Sequence, residues 1–321
     1  MHLLLVGHSD IARRRVLPAL AACGVTAVDV ASRSASPPFA RPASMAGIDY
    51  RSYETAVRES AATLVWISTT NDLHARLAAM ALDAGRHVVL DKPATVTLGE
   101  AESLARLAAA RRKLLAEATV YAFHPQIDAV RRFFADAGTA PTQLVAAFSF
   151  PPLPASNFRR QAALGGGAEL DLGPYAMSAG RLFFDAAPEW VLAHGLAADT
   201  GFSLVASYPG GRTLSGHFGA TTGYVNRLQV LGPRATATID RAFTTAPDAP
   251  CRIAATLDNT PADFTVPGSD SFAAFWRAVC KAAESGETGP FCEALLADAR
   301  SREQLASALA AATTPYPEAT S

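Results

Sequence analysis

Short, wholly apolar runs alternate with amphipathic segments through about the first 120 residues of the chain, and few folds accept that pattern. Leu3-Leu4-Leu5-Val6 has no polar face, so a strand made from it must be covered on both sides. Thr26 to Ala31, Thr63 to Ser68, His87 to Leu90 and Leu114 to Ala118 read as further strands. Helical segments lie between them: Ile11 to Ala22 with Gly24 as its stop, Tyr53 to Ala61, Leu73 to Ala84, and Leu98 to Arg112. A Ser/Pro-rich loop spans Ser34 to Ser44. Strands buried on both faces and joined through helices run parallel, which predicts an α/β, doubly wound parallel sheet.

Beyond Pro125 the pattern changes. Asp128 to Ala135 is helical, and Gln143 to Phe150 alternates like a half-exposed strand. More strand candidates follow at Trp190 to Ala197, Phe202 to Tyr208, Arg212 to Phe218, Asn226 to Leu231 and Ala235 to Asp240. Short glycine-containing turns join several of them, which predicts an α+β half with one open, mostly antiparallel sheet. Ser271 to Glu284 and Phe291 to Ala311 are helical, and a Pro/Thr/Ser-rich tail from Thr313 is expected to fray. At 321 residues the chain exceeds one ordinary core. The expected division is a nucleotide-binding domain over 1–120 and a substrate-binding or oligomerisation domain over 121–321. Alternating strands in the second suit a homodimer or homotetramer.

Charge narrows the partner. Lys and Arg total 28 against 29 Asp and Glu, a net charge of -1. That balance has no electrostatic footprint for nucleic acid or an anionic membrane, so a small-molecule partner is expected. No apolar stretch approaches the ~18 residues of a membrane span, and Leu3 to Val6 is too short for a signal-peptide core. Cys23, Cys251, Cys280 and Cys292 form no C-x-x-C pair; reduced thiols and a cytoplasmic location are expected. His217 has no second histidine at ligand spacing, and no metal site is expected.

Gly7-His8-Ser9-Asp10-Ile11-Ala12 joins the first strand to the first helix, where a dinucleotide fold places its glycine turn and pyrophosphate. Gly7 keeps the tight turn, while Ser9 and Ala12 stand at the second and third glycine positions of G-x-G-x-x-G. The Ser9 side chain occupies space the backbone uses to approach phosphate, and its hydroxyl is a possible donor. Gly7, Ser9, Asp10 and Ile11 are the candidate contacts of this turn. The second strand ends in Ser32-Arg33 rather than in an acid, and Asp29 lies inside the strand. A hydroxyl and a planar cation suit a ribose 2′-phosphate, so NADP(H) is favoured and NAD is the second choice.

Four segments beyond the glycine turn carry a resemblance. Thr69-Thr70-Asn71-Asp72-Leu73-His74 follows one buried strand, and Ala84-Gly85-Arg86-His87-Val88-Val89-Leu90-Asp91-Lys92-Pro93 contains the next. Glu117 to Gln126 reads E-A-T-V-Y-A-F-H-P-Q, and Gly165 to Tyr175 reads G-G-G-A-E-L-D-L-G-P-Y. Together they resemble the glucose–fructose oxidoreductase / inositol dehydrogenase (Gfo/Idh/MocA) family. Its patterns are T-P-N-x-x-H, A-G-x-H-V before E-K-P, E-A-x-M-Y-R-F-H-P-Q, and G-G-G-x-L-x-D-x-G-x-(H/Y). Tyr224-Val225-Asn226 and Arg241-Ala242-Phe243 are similar to the sheet of its sugar-modifying branch. The likeness covers nearly the whole chain and implies an N-terminal Rossmann domain. Thr70, Ala122, Asp91 and Ser9 depart from the pattern, and the loss of arginine at Ala122 bears on substrate recognition.

The residues suit carbonyl chemistry. A lysine after a parallel strand, Lys92, points into the ligand crevice. Asp171 and Tyr175 stand i, i+4 at an expected helix start, with Pro174 in its first turn, so they share a face. A phenol titrates near ~10, and a neighbouring ammonium favours its ionised form. The resemblance implies Tyr175 as proton donor or acceptor, Lys92 as polariser of the oxygen, and Asp171 as the group orienting a substrate hydroxyl or Lys92. It also implies Thr69, Asn71, His74 and Lys92 in the cofactor site, with Asn71 on the nicotinamide ribose. His124, Asn157 and Arg159 are candidate substrate contacts, His74 and His124 being as well suited to structural roles and the other two to a solvated loop. The expected activity is NADP(H)-dependent hydride transfer to a ketosugar, free or nucleotide-linked. The alternatives are oxidation of a free sugar, polyol or dihydrodiol by the same residues, and a catalytically silent ligand sensor, against which Lys92 and Tyr175 argue.

Overall fold

The computed structural model describes residues 1–33 and 37–312. The start of the Ser/Pro-rich loop and the tail from Thr313 lie outside the described residues. The chain forms two compact units, of which the first comprises Met1–Phe123, Ala163–Gly165 and Asp270–Ala299.

In this unit β1 (Leu3–Val6), β2 (Val28–Ala31), β3 (Asp49–Tyr50), β4 (Leu64–Ile67), β5 (His87–Leu90) and β6 (Leu115–Glu117) form one parallel sheet. The order is β3-β2-β1-β4-β5-β6, so the winding reverses between β1 and β4. In such sheets ligands bind outside the carboxyl ends of the strands at that switch point. The helices are α1 (Leu17–Ala22), entered through a π-wound turn over Ala12–Val16, α2 (Tyr53–Glu59), α3 (His74–Asp83) and α4 (Leu98–Arg111). The strand period of two divides the apolar runs between two cores. Leu4, Val6, Val65, Ile67 and Val88 face α2, α3 and α4, where Leu77, Leu82 and Leu104 meet them. Leu3, Leu5, Val30, Leu64 and Trp66 face the other way, onto Leu17 and Leu20. That second face is completed from far along the sequence: α7 (Ser271–Ser285) brings Phe275 and Trp276 onto Trp66, at ring-centre distances of 5.7 and 6.4 Å. Each such side chain fully buried contributes about 1.5–3 kcal/mol, which explains why the unit is not contiguous in sequence.

The second unit comprises His124–Ala162, Gly166–Ser269 and the chain from Arg300. After α5 (Pro125–Asp136) comes β7 (Gln143–Ser149), and after α6 (Ala168–Phe184) come β8 (Trp190–Gly195), β9 (Gly201–Tyr208), β10 (Arg212–Gly219), β11 (Val225–Leu231) and β12 (Ala235–Asp240). The chain continues through β13 (Cys251–Leu257), β14 (Thr260–Pro261) and β15 (Phe264–Val266), and α8 (Gly289–Ala312) closes it. These strands make one nine-stranded sheet in the order β14-β13-β12-β11-β7-β10-β9-β8, with β15 paired to β13. All its pairings are antiparallel except β7 with β10. Leu204, Ala206, Tyr208, Leu214 and Leu228 alternate onto the buried face, where α6 packs. Gly180 of α6 lets Tyr208 approach where a Cβ would collide with its phenol.

The second unit differs from the sequence reading in two places that bear on the site and the sheet. β13 to β15 escaped it, because Cys-Arg-Ile-Ala-Ala-Thr-Leu is rich in alanine and alternates weakly. The helix expected to start near Asp171 starts at Ala168, so Pro174 lies inside it rather than in its first turn. The reason is a cap the sequence does not announce: Asp199, from a loop 31 residues away, accepts a hydrogen bond from the Ala168 N–H.

Candidate active site

The first unit gathers polar groups at the carboxyl ends of β1, β2, β4 and β5. Gly7 takes φ +95°, and a Cβ there would strike the Ser68 carbonyl, so only glycine fits. Ser9 caps the helix that starts at Asp10, its Oγ accepting the Ala12 N–H at 3.0 Å. Asp10 pairs with Arg13 and Arg14 at the surface, and Ile11 is half-buried beside it. His8 bonds through Nε2 to the Ala40 carbonyl, and its ring lies 5.4 Å from Phe39, so the loop after β2 folds back on the turn. Burial pushes the His8 imidazole below its ordinary value and Arg13 and Arg41 add to this, against the Ala40 bond. These effects favour the neutral form of the His8 ring.

At the end of β2 Ser32 is buried, and the exposed Arg33 guanidinium stacks 4.6 Å from the Tyr53 ring centre. Asp29 is committed elsewhere. It accepts hydrogen bonds from the Ile48 N–H at 2.8 Å and the Ser60 hydroxyl at 2.7 Å, and pairs with His2. Burial would raise its pKa, but those bonds win and hold it below the usual carboxylate range. No acid remains in Ala31-Ser32-Arg33 for a ribose 2′-hydroxyl. The glycine turn, the helix start and this cationic strand end fit a dinucleotide carrying a 2′-phosphate.

The Lys92 segment is fixed on both sides. Asp91 accepts from Trp66 Nε1 at 2.8 Å and from the Ser68 hydroxyl at 2.5 Å. Beyond Lys92, Glu117 accepts the Ala94 N–H at 2.7 Å. Buried His74, at the start of α3, donates through Nδ1 to the Pro93 carbonyl at 2.9 Å. Its Nε2 has no hydrogen-bond partner among the described residues. Asn71 donates its amide to the Gly165 carbonyl at 2.7 Å, and Thr69 donates to the Thr70 carbonyl.

In the second unit the start of α6 draws Asn157, Arg159 and Asp171 together. Asn157 Oδ1 caps the turn over Phe158–Arg160 by accepting the Arg159 N–H, and Arg159 Nε donates to Asp171 Oδ1 at 3.0 Å. One helical turn on, half-buried Tyr175 sits in an aromatic seat, 5.1 Å from Phe148 and 5.6 Å from Phe243. Arg159, Asp171, Asp199 and Phe150 line one small cleft. His124 is buried and caps α5, its Nδ1 accepting the Gln126 N–H at 3.2 Å.

The sequence reading passed over Ser68, Trp66, Glu169 and Asp199. Glu169 had one signal, an acid in the first turn of a helix. Burial pushes its carboxyl up to about 7, against the attraction of Arg302 and helped by Asp199. Among the described residues no three His, Cys, Asp or Glu side chains are grouped to hold a metal.

Residues 1–119 match the model of an oxidoreductase family with an NAD-binding Rossmann fold, and residues 138–238 match the GFO/IDH/MocA C-terminal domain. The dTDP-3,4-didehydro-2,6-dideoxy-alpha-D-glucose 3-reductase of Actinomadura kijaniata is 32% identical over 88% of this chain and 87% of its own. The D-xylose 1-dehydrogenase (NADP(+)) 2 of Haloferax volcanii is 30% identical over 88% and 89%. Among solved structures, the 3-ketoreductase KijD10 from Actinomadura kijaniata, in complex with NADP and TDP-benzene, superposes with a TM-score of 0.85. The identity is 28%, over 97% of both chains.

Proposed function

The chain belongs to the GFO/IDH/MocA family of oxidoreductases, and from that premise we propose that it is an NADPH-dependent reductase of a ketosugar carried on a nucleoside diphosphate. The observation that carries the reading is the face of α6. A phenol, Tyr175, stands one turn from a carboxylate, Asp171, already oriented by Arg159. Matching nucleotide-sugar ketoreductases support the substrate class. So does the exposed Tyr224 ring, with the Arg241 guanidinium 5.2 Å from its centre, a surface suited to a base and its phosphates.

A bound nicotinamide supplies the hydride. The protein's part is to hold the carbonyl and move one proton. Tyr175 donates that proton to the oxygen, from a ring its aromatic neighbours hold in one orientation. The Lys92 ammonium stabilises negative charge developing on the same oxygen. Asp171 accepts a hydrogen bond from a substrate hydroxyl. Gly7, Ser9, Asp10 and Ile11 seat the dinucleotide by the backbone of their turn, and Ser32 and Arg33 select the 2′-phosphate. Thr69, Asn71 and His74 shape the cofactor site, and His124, Asn157 and Arg159 serve the substrate side, His124 through the start of α5. Residues 1–120 supply the nucleotide site and 121–321 the substrate site and oligomer contacts.

The xylose dehydrogenase likeness favours a second reading, oxidation of a free aldose by the same residues. Assaying NADPH with a nucleotide-linked 3-ketosugar beside NADP+ with D-xylose separates the two. Faster turnover of xylose would displace the first.

We also propose a cytoplasmic homodimer or homotetramer. The four cysteines are free, and among the described residues no helix is long and apolar enough to cross a membrane. On the outer face of the large sheet, Leu192, Val205, Ser215, Val145, Gln229 and Thr238 are successive cross-strand partners in one uncharged row. Leu192 in that row is 66% exposed. A row of this kind suits a second copy of the same sheet.

A further inference from the structure

Ser68, which the proposed chemistry does not use, is the junction between the glycine turn and the Lys92 segment. Its N–H bonds the Val6 carbonyl at 2.7 Å, and its own carbonyl abuts Gly7. Its hydroxyl lies 2.6 Å from Ser9 Oγ and 2.5 Å from Asp91 Oδ2. The proton directions follow from the donor inventory. A carboxylate only accepts, so Ser68 donates to Asp91. That uses the one proton Ser68 has, so Ser9 donates in the Ser9–Ser68 bond. Ser9 in turn accepts the Ala12 N–H. One directed chain therefore runs from the first helix through Ser9 and Ser68 to Asp91, each bond polarising the next. The Ser9 hydroxyl has no second proton for a phosphate oxygen.

The other end of the chain adjoins Lys92. Asp91 continues the ladder of β5, its N–H bonding the Ile67 carbonyl at 2.9 Å. Lys92 is the next residue, so holding the Asp91 carboxylate on Ser68 and Trp66 fixes the backbone from which the lysine side chain extends.

We propose that Ser9, Ser68 and Asp91 form one positioning device for Lys92, joining the cofactor turn and the lysine segment so that they hold a single arrangement. The inference rests on Lys92 acting in the reaction. Its test measures turnover, ketosugar KM and NADPH affinity in Ser68→Ala, Ser9→Ala, Asp91→Asn, the Ser9→Ala/Ser68→Ala double variant and Lys92→Ala.

With a net bond of this kind lost, Ser68→Ala and Asp91→Asn are expected to lower kcat about tenfold, with KM little changed. NADPH should still bind within about threefold, because the turn is held by its backbone. Since the bonds form one chain, the double variant should be no slower than Ser68→Ala. Losses that multiply would show independent residues and overturn the device. So would unchanged kcat in Ser68→Ala and Asp91→Asn while Lys92→Ala is inactive, or loss of NADPH binding equal to the loss of turnover. Full turnover by Lys92→Ala would instead remove the functional reading itself.

Discussion

In the proposed reading, Arg33 is the residue that sets cofactor choice. Asp29 is consumed by Ile48, Ser60 and His2, Ala31-Ser32-Arg33 carries no acid, and the guanidinium lies over the Tyr53 ring. Arg33→Ala should weaken NADPH binding about tenfold or more and leave NADH nearly unchanged, as nicotinamide fluorescence would report. Equal losses for both would remove Arg33 from phosphate recognition. Glu169 gives a second prediction, in stability. Its folded pKa of about 7 lies above the ordinary carboxyl value, so the native state binds its proton more tightly than the unfolded chain. That contribution is complete below the unfolded pKa, shrinks as pH rises from there towards about 7, and is gone above it. Glu169→Gln cannot ionise, so its Tm should exceed wild type at pH 8 and converge with it at pH 5. A constant difference across that range would contradict the assignment.

The start of α6 shows how one element can be half legible. Gly165 to Tyr175 announces a site, and the spacing of Asp171 and Tyr175 gives their shared face. The helix nevertheless begins earlier than a proline in its first turn implies, because Asp199 supplies the missing cap from a turn where Ala198 and Asp199 take φ of 55° and 51°. Nothing local to Asp199 signals such a contact, since its partner is distant in sequence. Asp199→Ala should cost about 1 kcal/mol and lower turnover more than cofactor affinity, by loosening the turn that carries Asp171. Thermal melts beside steady-state kinetics check this, and unchanged kcat would make Asp199 a cap alone. The parallel strands were legible for the opposite reason: wholly apolar runs such as Leu64 to Ile67 have only one environment that suits them.

For the whole molecule, sequence pattern conveyed two kinds of sheet but not how the chain shares itself between units. Phe275 and Trp276 return to the first unit because the face carrying Trp66 needs covering, a demand visible only when the strands are assembled. The outer row on the large sheet is equally invisible until register aligns Leu192, Val205 and Val145. If the chain assembles through this row as proposed, wild type should run as an oligomer and Leu192→Asp with Val205→Asp as a folded monomer in light scattering after size exclusion. An unchanged mass would place the subunit contact elsewhere. The central claim, that this chain reduces a nucleotide-linked ketosugar with Tyr175 as its acid, is tested most directly by one assay. It follows NADPH consumption with a dTDP-linked 3-ketosugar, comparing wild type with Tyr175→Phe. The expected result is turnover by wild type, a loss of about a hundredfold or more in the variant, and NADPH binding unchanged between them. Equal turnover by both, or binding of NADPH with no consumption by wild type, would contradict it.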